Sequence, residues 1–145
     1  MGISQRLQEL VRKRDGYRCA YCRTPEALTV TVFEIDHIIP KSQGGETHES
    51  NLCLACPTCN RYKGISKTAM DPESGEEVPL FHPRQDRWED HFAWNHEKTL
   101  IEGLTPTGRA TIEKLKMNRL QMVRIRGLWR KIGIDLDASF SDLSE

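Results

Sequence analysis

The thirty residues from Glu34 to Lys63 hold most of the groups in this chain that can do chemistry at close range. They read Glu34-Ile-Asp36-His37-Ile-Ile-Pro40, then Gly44-Gly45, Asn51-Leu52 and Cys56-Pro-Thr-Cys59-Asn60-Arg-Tyr-Lys63. Packing gives a domain no reason to crowd an Asp-His pair, two asparagines and a Cys-x-x-Cys into one short unit. Histidine is the side chain that moves protons near neutral pH. Carboxylate and amide oxygens suit hard divalent cations, and thiolates suit zinc. This stretch is therefore read as the active centre, and the remainder as scaffold or substrate contact.

Cysteine spacing gives the firmest inference. Four of the five cysteines fall as Cys19-x-x-Cys22 and Cys56-x-x-Cys59, and two such pairs can converge on one tetrahedral zinc. Cys53 lies three residues before Cys56 and offers a competing pair. It sits between Leu52 and Leu54, where a small buried hydrophobe is the simpler reading, so Cys56 and Cys59 are preferred. Four thiolates leave no open coordination position, so this zinc is expected to be structural.

Ile35-Asp36-His37-Ile38-Ile39-Pro40-Lys41, the Gly44-Gly45 loop, Asn51-Leu52 and Cys56-x-x-Cys59-Asn60-x-x-Lys63 together resemble the HNH endonuclease family over about Arg14 to Lys63. Many members carry histidine where this chain has Asn60, whose amide oxygen can still ligate a hard cation. The resemblance implies an α+β fold: a ββα-metal (His-Me finger) nuclease core braced by zinc, followed by a C-terminal β-hairpin and two helices. It implies a metal-dependent DNA endonuclease with His37 as the general base that activates water and Asn51 holding the histidine in line. Asp36 and Asn60 would hold one catalytic Mg2+ or Mn2+ that stabilises the leaving group. Lys41, Arg61, Lys63 and Lys67 surround the centre and are candidates for backbone phosphate contacts. The alternative is a zinc-dependent nucleic-acid-binding module without catalysis. Glu34 shares the Asp36 side by strand alternation and is read as solvated, as is His48.

The elements that must position these groups are legible in outline. Ile3, Leu7, Leu10 and Val11 predict an amphipathic helix over 3–14, with Arg6, Arg12, Lys13 and Arg14 on a solvated or phosphate-facing side. The β-branched run from Leu28 to Asp36 predicts a strand or strand pair running into His37, and Leu52 to Ala55 a second short strand. Pro57 opens a helix that ends at Gly64. Asp71 to Pro79 reads as an acidic linker. His91–Trp94 and Thr99–Leu104 predict a hairpin, and Thr105-Pro106 starts a helix to about Met117. A last helix runs from Leu120 to Ile132, with Met122, Ile125, Leu128, Trp129 and Ile132 on a core face and Arg119, Arg126 and Arg130 on another.

The division expected is a nuclease core with zinc site at 1–67, an acidic linker and β-hairpin extension at 68–105, a helical extension packing on the core at 106–135 and a flexible tail at 136–145. The part after Pro79 looks like the extension of a group of small bacterial HNH proteins; its His82, His91 and His96 are too irregularly spaced to read as ligands. Net charge is zero, but it is unevenly spread. Lysines and arginines against acids number ten to seven over 1–67, three to nine over 68–105 and eight to five beyond, so a basic phosphate-binding face survives the neutral sum. No apolar run reaches membrane-spanning length and the start of the chain lacks a signal-peptide pattern, so a cytoplasmic protein is expected. Its partner would be DNA, with RNA not excluded and no membrane, as a monomer or weak dimer.

Overall fold

The computed structural model describes residues 2–136. Of the tail expected from 136 onward, residues 137–145 lie outside the described part, while Leu136 packs beside Met122 and Trp129. Helix α1 (Gln5–Arg14) starts where the Ser4 hydroxyl accepts from the Leu7 amide at 3.2 Å, and its basic last turn complements the helix dipole. Two of those basic residues are structural. Arg12 pairs with Glu26 at 2.6 Å and donates to the Phe33 carbonyl at 2.8 Å; Arg14 donates to the Glu49 and Leu52 carbonyls.

Strand β1 (Glu34–His37) pairs antiparallel with β2 (Leu52–Ala55), setting Asp36 opposite Cys53 and His37 opposite Leu52. The strand expected from Leu28 begins only at Glu34. A strand needs a pairing edge, and β2 offers only four residues. Upstream, Val30 and Val32 are exposed, and the Glu26 carboxylate captures the Phe33 amide at 2.6 Å. Helix α2 (Pro57–Lys63) follows directly, with Pro57 in the first turn where its missing N–H costs nothing.

The stretch expected as an acidic linker is a hairpin, β3 (Thr68–Met70) with β4 (Glu77–Pro79). The turn residues at 71–75 join two paired strands, because Asp71 is buried and held. Its carboxylate accepts both Arg109 Nε and Nη2 at 2.9 Å, as well as the Ser74 hydroxyl at 2.8 Å. Helix α3 (Trp88–His91) then leads into β5 (Phe92–Trp94), paired with β6 (Ile101–Gly103) as expected. Helix α4 (Pro106–Leu115) is capped by the Thr105 hydroxyl, which accepts from the Gly108 amide at 3.0 Å. A Cβ on Gly108 would lie 2.2 Å from the His91 carbonyl oxygen, so glycine is what lets α4 close on the end of α3.

Helix α5 (Leu120–Lys131) buries Met122 and Trp129 and half-buries Ile125, while Leu128 and the capping Ile132, two of the five residues of the apolar face expected, are exposed. Arg126 is withdrawn from the arginine row. It is buried, donates to the Thr99, Met117 and Asn118 oxygens, and lies 5.3 Å from the centroid of the Trp94 ring. One apolar core runs from Val11 through the cysteines and β2 to Phe81, Trp88, Phe92, Ile101 and Met117. Segments 1–67 and 68–117 thus share a single interior. Among the described residues, no helix is long and apolar enough to cross a membrane.

Candidate active site and metal centre

The first cysteine pair sits in a tight turn closed by the Arg23 amide donating to the Cys19 carbonyl at 3.0 Å and by a bridge between Arg18 and Pro25. The second straddles the start of α2, where Cys56 is the N-cap and Cys59 lies one turn in. The four sulfurs meet within 4.8 Å of one another, all buried, with Cys22 and Cys56 at 3.9 Å. That spacing and an all-thiol donor set fit a tetrahedral zinc. Cys53 stands apart, buried with its sulfur 3.9 Å from Asp36 Oδ2, so it is no member of the cluster.

Asp36, opposite Cys53 in the β1–β2 pair, is buried among specific partners. Its Oδ2 accepts the Tyr21 hydroxyl at 2.8 Å and lies 3.2 Å from the Lys63 ammonium. Burial pushes the Asp36 carboxyl above its ordinary range, and Lys63 and Tyr21 pull it back. Lys63, expected at the surface on the phosphate path, points inward instead: it is 2% exposed and also donates to the His37 carbonyl at 3.2 Å. The reason lies in helix geometry. Lys63 follows Asn60 by three residues, so the two share the face of α2 that looks onto β1. There Asn60 donates its amide to Glu34 at 2.7 Å. A carboxylate only accepts, so the amide nitrogen faces Glu34 and the Asn60 carbonyl oxygen is turned to another side.

His37 is partly exposed at the end of β1, its Nε2 2.8 Å from the Thr47 hydroxyl. Partial burial, followed by the nearby positive charge of Lys41, lowers its pKa, which favours the neutral ring at pH 7. Asn51 is buried at the start of β2 and ties the intervening loop to the strand. Its Oδ1 accepts the Ile39 amide at 2.8 Å, and its Nδ2 donates to the carbonyls of Ile39 and Glu46 at 3.0 and 2.9 Å. The loop passes so closely that a Cβ on Gly45 would lie 1.7 Å from the Ile39 carbonyl oxygen.

Of the remaining expected contacts, Lys41, Arg61 and Lys67 are exposed. His48 caps its own turn by accepting the Ser50 amide; His82 accepts the Arg84 and Gln85 amides; His91 meets the Thr105 hydroxyl at 2.6 Å. Among the described residues, the four cysteines form the one group of three or more such ligands. Asp36 and Asn60 lie outside that cluster, with the Glu34 carboxylate against the Asn60 amide. Tyr21, Thr47 and the inward role of Lys63 escaped the sequence reading. The Asn60–Lys63 spacing carried a signal for Lys63; nothing marked Tyr21 or Thr47.

The HNH endonuclease family model matches residues 19–65. Over 59 residues the chain is 40% identical to the CRISPR-associated endonuclease Cas9 of Corynebacterium diphtheriae, a stretch that is 40% of this chain and 5% of that protein. The chain thus spans a small fraction of that relative's length. No solved structure matches. Asp36, His37, Asn51, Asn60 and the four clustered cysteines all lie in the matched segment, and residues 19–65 belong to the HNH endonuclease family.

Proposed function

We propose that this chain is a DNA endonuclease that hydrolyses phosphodiester bonds at the β1–α2 face, in a ββα-metal arrangement braced by zinc. The observation that carries the reading is the convergence of Asp36, Asn60 and Lys63 on one face beside His37, with the cysteine cluster fixing the start of the helix that presents two of them. Asp36 and Asn60 would hold a magnesium or manganese ion, which when bound polarises the phosphate and stabilises the leaving oxygen. His37 takes the proton of the attacking water. In the tautomer that carries its proton on Nε2, the ring donates to the Thr47 hydroxyl and the lone pair lies on Nδ1, the nitrogen that would receive the proton. Asn51 keeps the loop that carries Thr47 in register with the histidine. Lys41, Arg61 and Lys67 hold the phosphates on either side of the cut, and Lys63 acts as the buried counter-ion of Asp36 instead. The zinc ligands are Cys19, Cys22, Cys56 and Cys59.

Supercoiled plasmid, incubated with zinc-loaded protein and either magnesium, manganese or chelator, tests the reading. Nicked or linear product that needs the added metal is expected, and a parallel duplex RNA substrate ranks the two nucleic acids. Intact plasmid under every metal, with DNA still retarded in a gel, contradicts it in favour of a binding module.

A further inference from the structure

Tyr21 lies between the two cysteines of the first pair, yet its side chain leaves the zinc turn altogether. It crosses the core fully buried, and its hydroxyl donates to Asp36 Oδ2 at 2.8 Å. Its backbone carbonyl is held from the other side, accepting the Trp88 indole N–H at 2.9 Å from α3. Cys53, opposite Asp36 on β2, completes the wall around the same oxygen at 3.9 Å. The phenol is fully buried, and the carboxylate is its close acceptor, with the Cys53 thiol beside it. Its ring position is fixed at one end by the cysteine turn and at the other by the carboxylate.

We infer that Tyr21 is a positioning residue for Asp36: its hydroxyl fixes the carboxylate so that the remaining oxygen faces Asn60 and the metal, and so joins the zinc turn mechanically to the catalytic cation. This rests on the nuclease reading of Asp36. Two donors, Tyr21 and Lys63, meet Oδ2, while Oδ1 has the longer contact with Lys63 at 3.4 Å. The hydroxyl thus occupies one oxygen and biases the carboxylate's rotation. A carboxylate that must rotate to meet a cation loses the advantage of preorganisation, and small misplacements of catalytic groups are costly.

Tyr21→Phe removes one oxygen atom and keeps the ring in the core. In zinc-loaded full-length protein, manganese binding without DNA, read by electron paramagnetic resonance of the free ion, should weaken about 10-fold or more, the scale of a hydrogen bond to a charged group. Plasmid cleavage at low magnesium should fall in step and recover toward the wild-type rate at saturating metal, with zinc content and Tm unchanged. Manganese affinity equal to the wild type overturns the inference. So does a variant that loses zinc or melts early, because the hydroxyl would then be structural. A wild-type protein that neither binds manganese nor cuts overturns the nuclease reading and this inference with it; a wild type that does both while Tyr21→Phe matches it overturns the inference alone.

Discussion

Asp36 and Lys63 make a buried pair whose members depend on each other. The ammonium is 3.2 Å from the carboxylate, both side chains are almost wholly enclosed, Asp36 also accepts from the Tyr21 hydroxyl, and Lys63 also donates to the His37 carbonyl. Removing one partner of such a pair leaves an uncompensated charge or forces a proton onto it, at about 3–5 kcal/mol. Lys63→Met should therefore lower the free energy of unfolding by roughly 3 kcal/mol in a urea titration; the exposed Lys41→Met or Arg61→Met should leave it within about 0.5 kcal/mol. Equal effects of all three would return Lys63 to the surface. At this scale the sequence was informative about residue types and less so about direction. Asp36, His37, Asn51 and Asn60 could be named from their order and neighbours. The inward turn of Lys63 and the reach of Tyr21 depend on which side of α2 and of the cysteine turn meets β1, and that is set by tertiary packing.

Each element has its own test. The cysteine turn and the start of α2 meet at their sulfurs, while the Ala20 amide ties the turn to Leu54 of β2 at 2.8 Å, so the cluster should contribute much of their stability. Cys56→Ser is expected to release zinc and lower Tm sharply, read by metal analysis and calorimetry; Cys53→Ser should retain the zinc. Unchanged metal content in Cys56→Ser would remove the site. The hairpin β3–β4 carries a different dependence. Asp71's carboxyl is held well below its usual range, chiefly by the paired Arg109 donors, against the opposing effect of burial. Its contribution is complete above the ordinary carboxylate range of about 4 and fades as pH falls towards the lower folded value. Acid should thus destabilise the wild type below about pH 4, and Asp71→Asn should show a flatter decline, measured by Tm against pH. Identical slopes would contradict the pairing. The elements themselves were largely legible: helix starts at Pro57 and Thr105-Pro106, the β5–β6 pair and α5 follow from caps, turns and periodicity. Two failed for the same physical reason. Strand propensity at Leu28–Val32 found no edge to pair with, while the turn-rich 71–75 stretch gained paired strands because Arg109, thirty-eight residues later, anchors Asp71.

As a whole the molecule does not separate into the nuclease segment and an appendage. Trp88 fills the core against Phe92, with ring centroids 5.1 Å apart, and bonds to the Tyr21 carbonyl, while Arg84 donates to Leu52 in β2 and pairs with Asp15 at the end of α1. Trp88→Ala should destabilise the full chain by about 3–5 kcal/mol, the scale of a large aromatic lost from a core. A fragment ending at residue 67 should lack a cooperative thermal transition even with zinc. A sharp melt of that fragment would contradict the shared core. Composition and charge mark a boundary near residue 68, whereas packing crosses it; the apolar content of the extension was the sequence signal for that packing.

The central claim, cleavage of DNA by an Asp36–His37–Asn60 centre, is most directly tested by comparing wild type with His37→Ala on supercoiled plasmid in magnesium. His37 is partly exposed and its ring fills no core, so the variant should keep its zinc and its Tm. Its cleavage rate should fall about 10²- to 10⁴-fold, the scale of general-base catalysis. A folded His37→Ala protein that cuts as fast as the wild type would contradict the account.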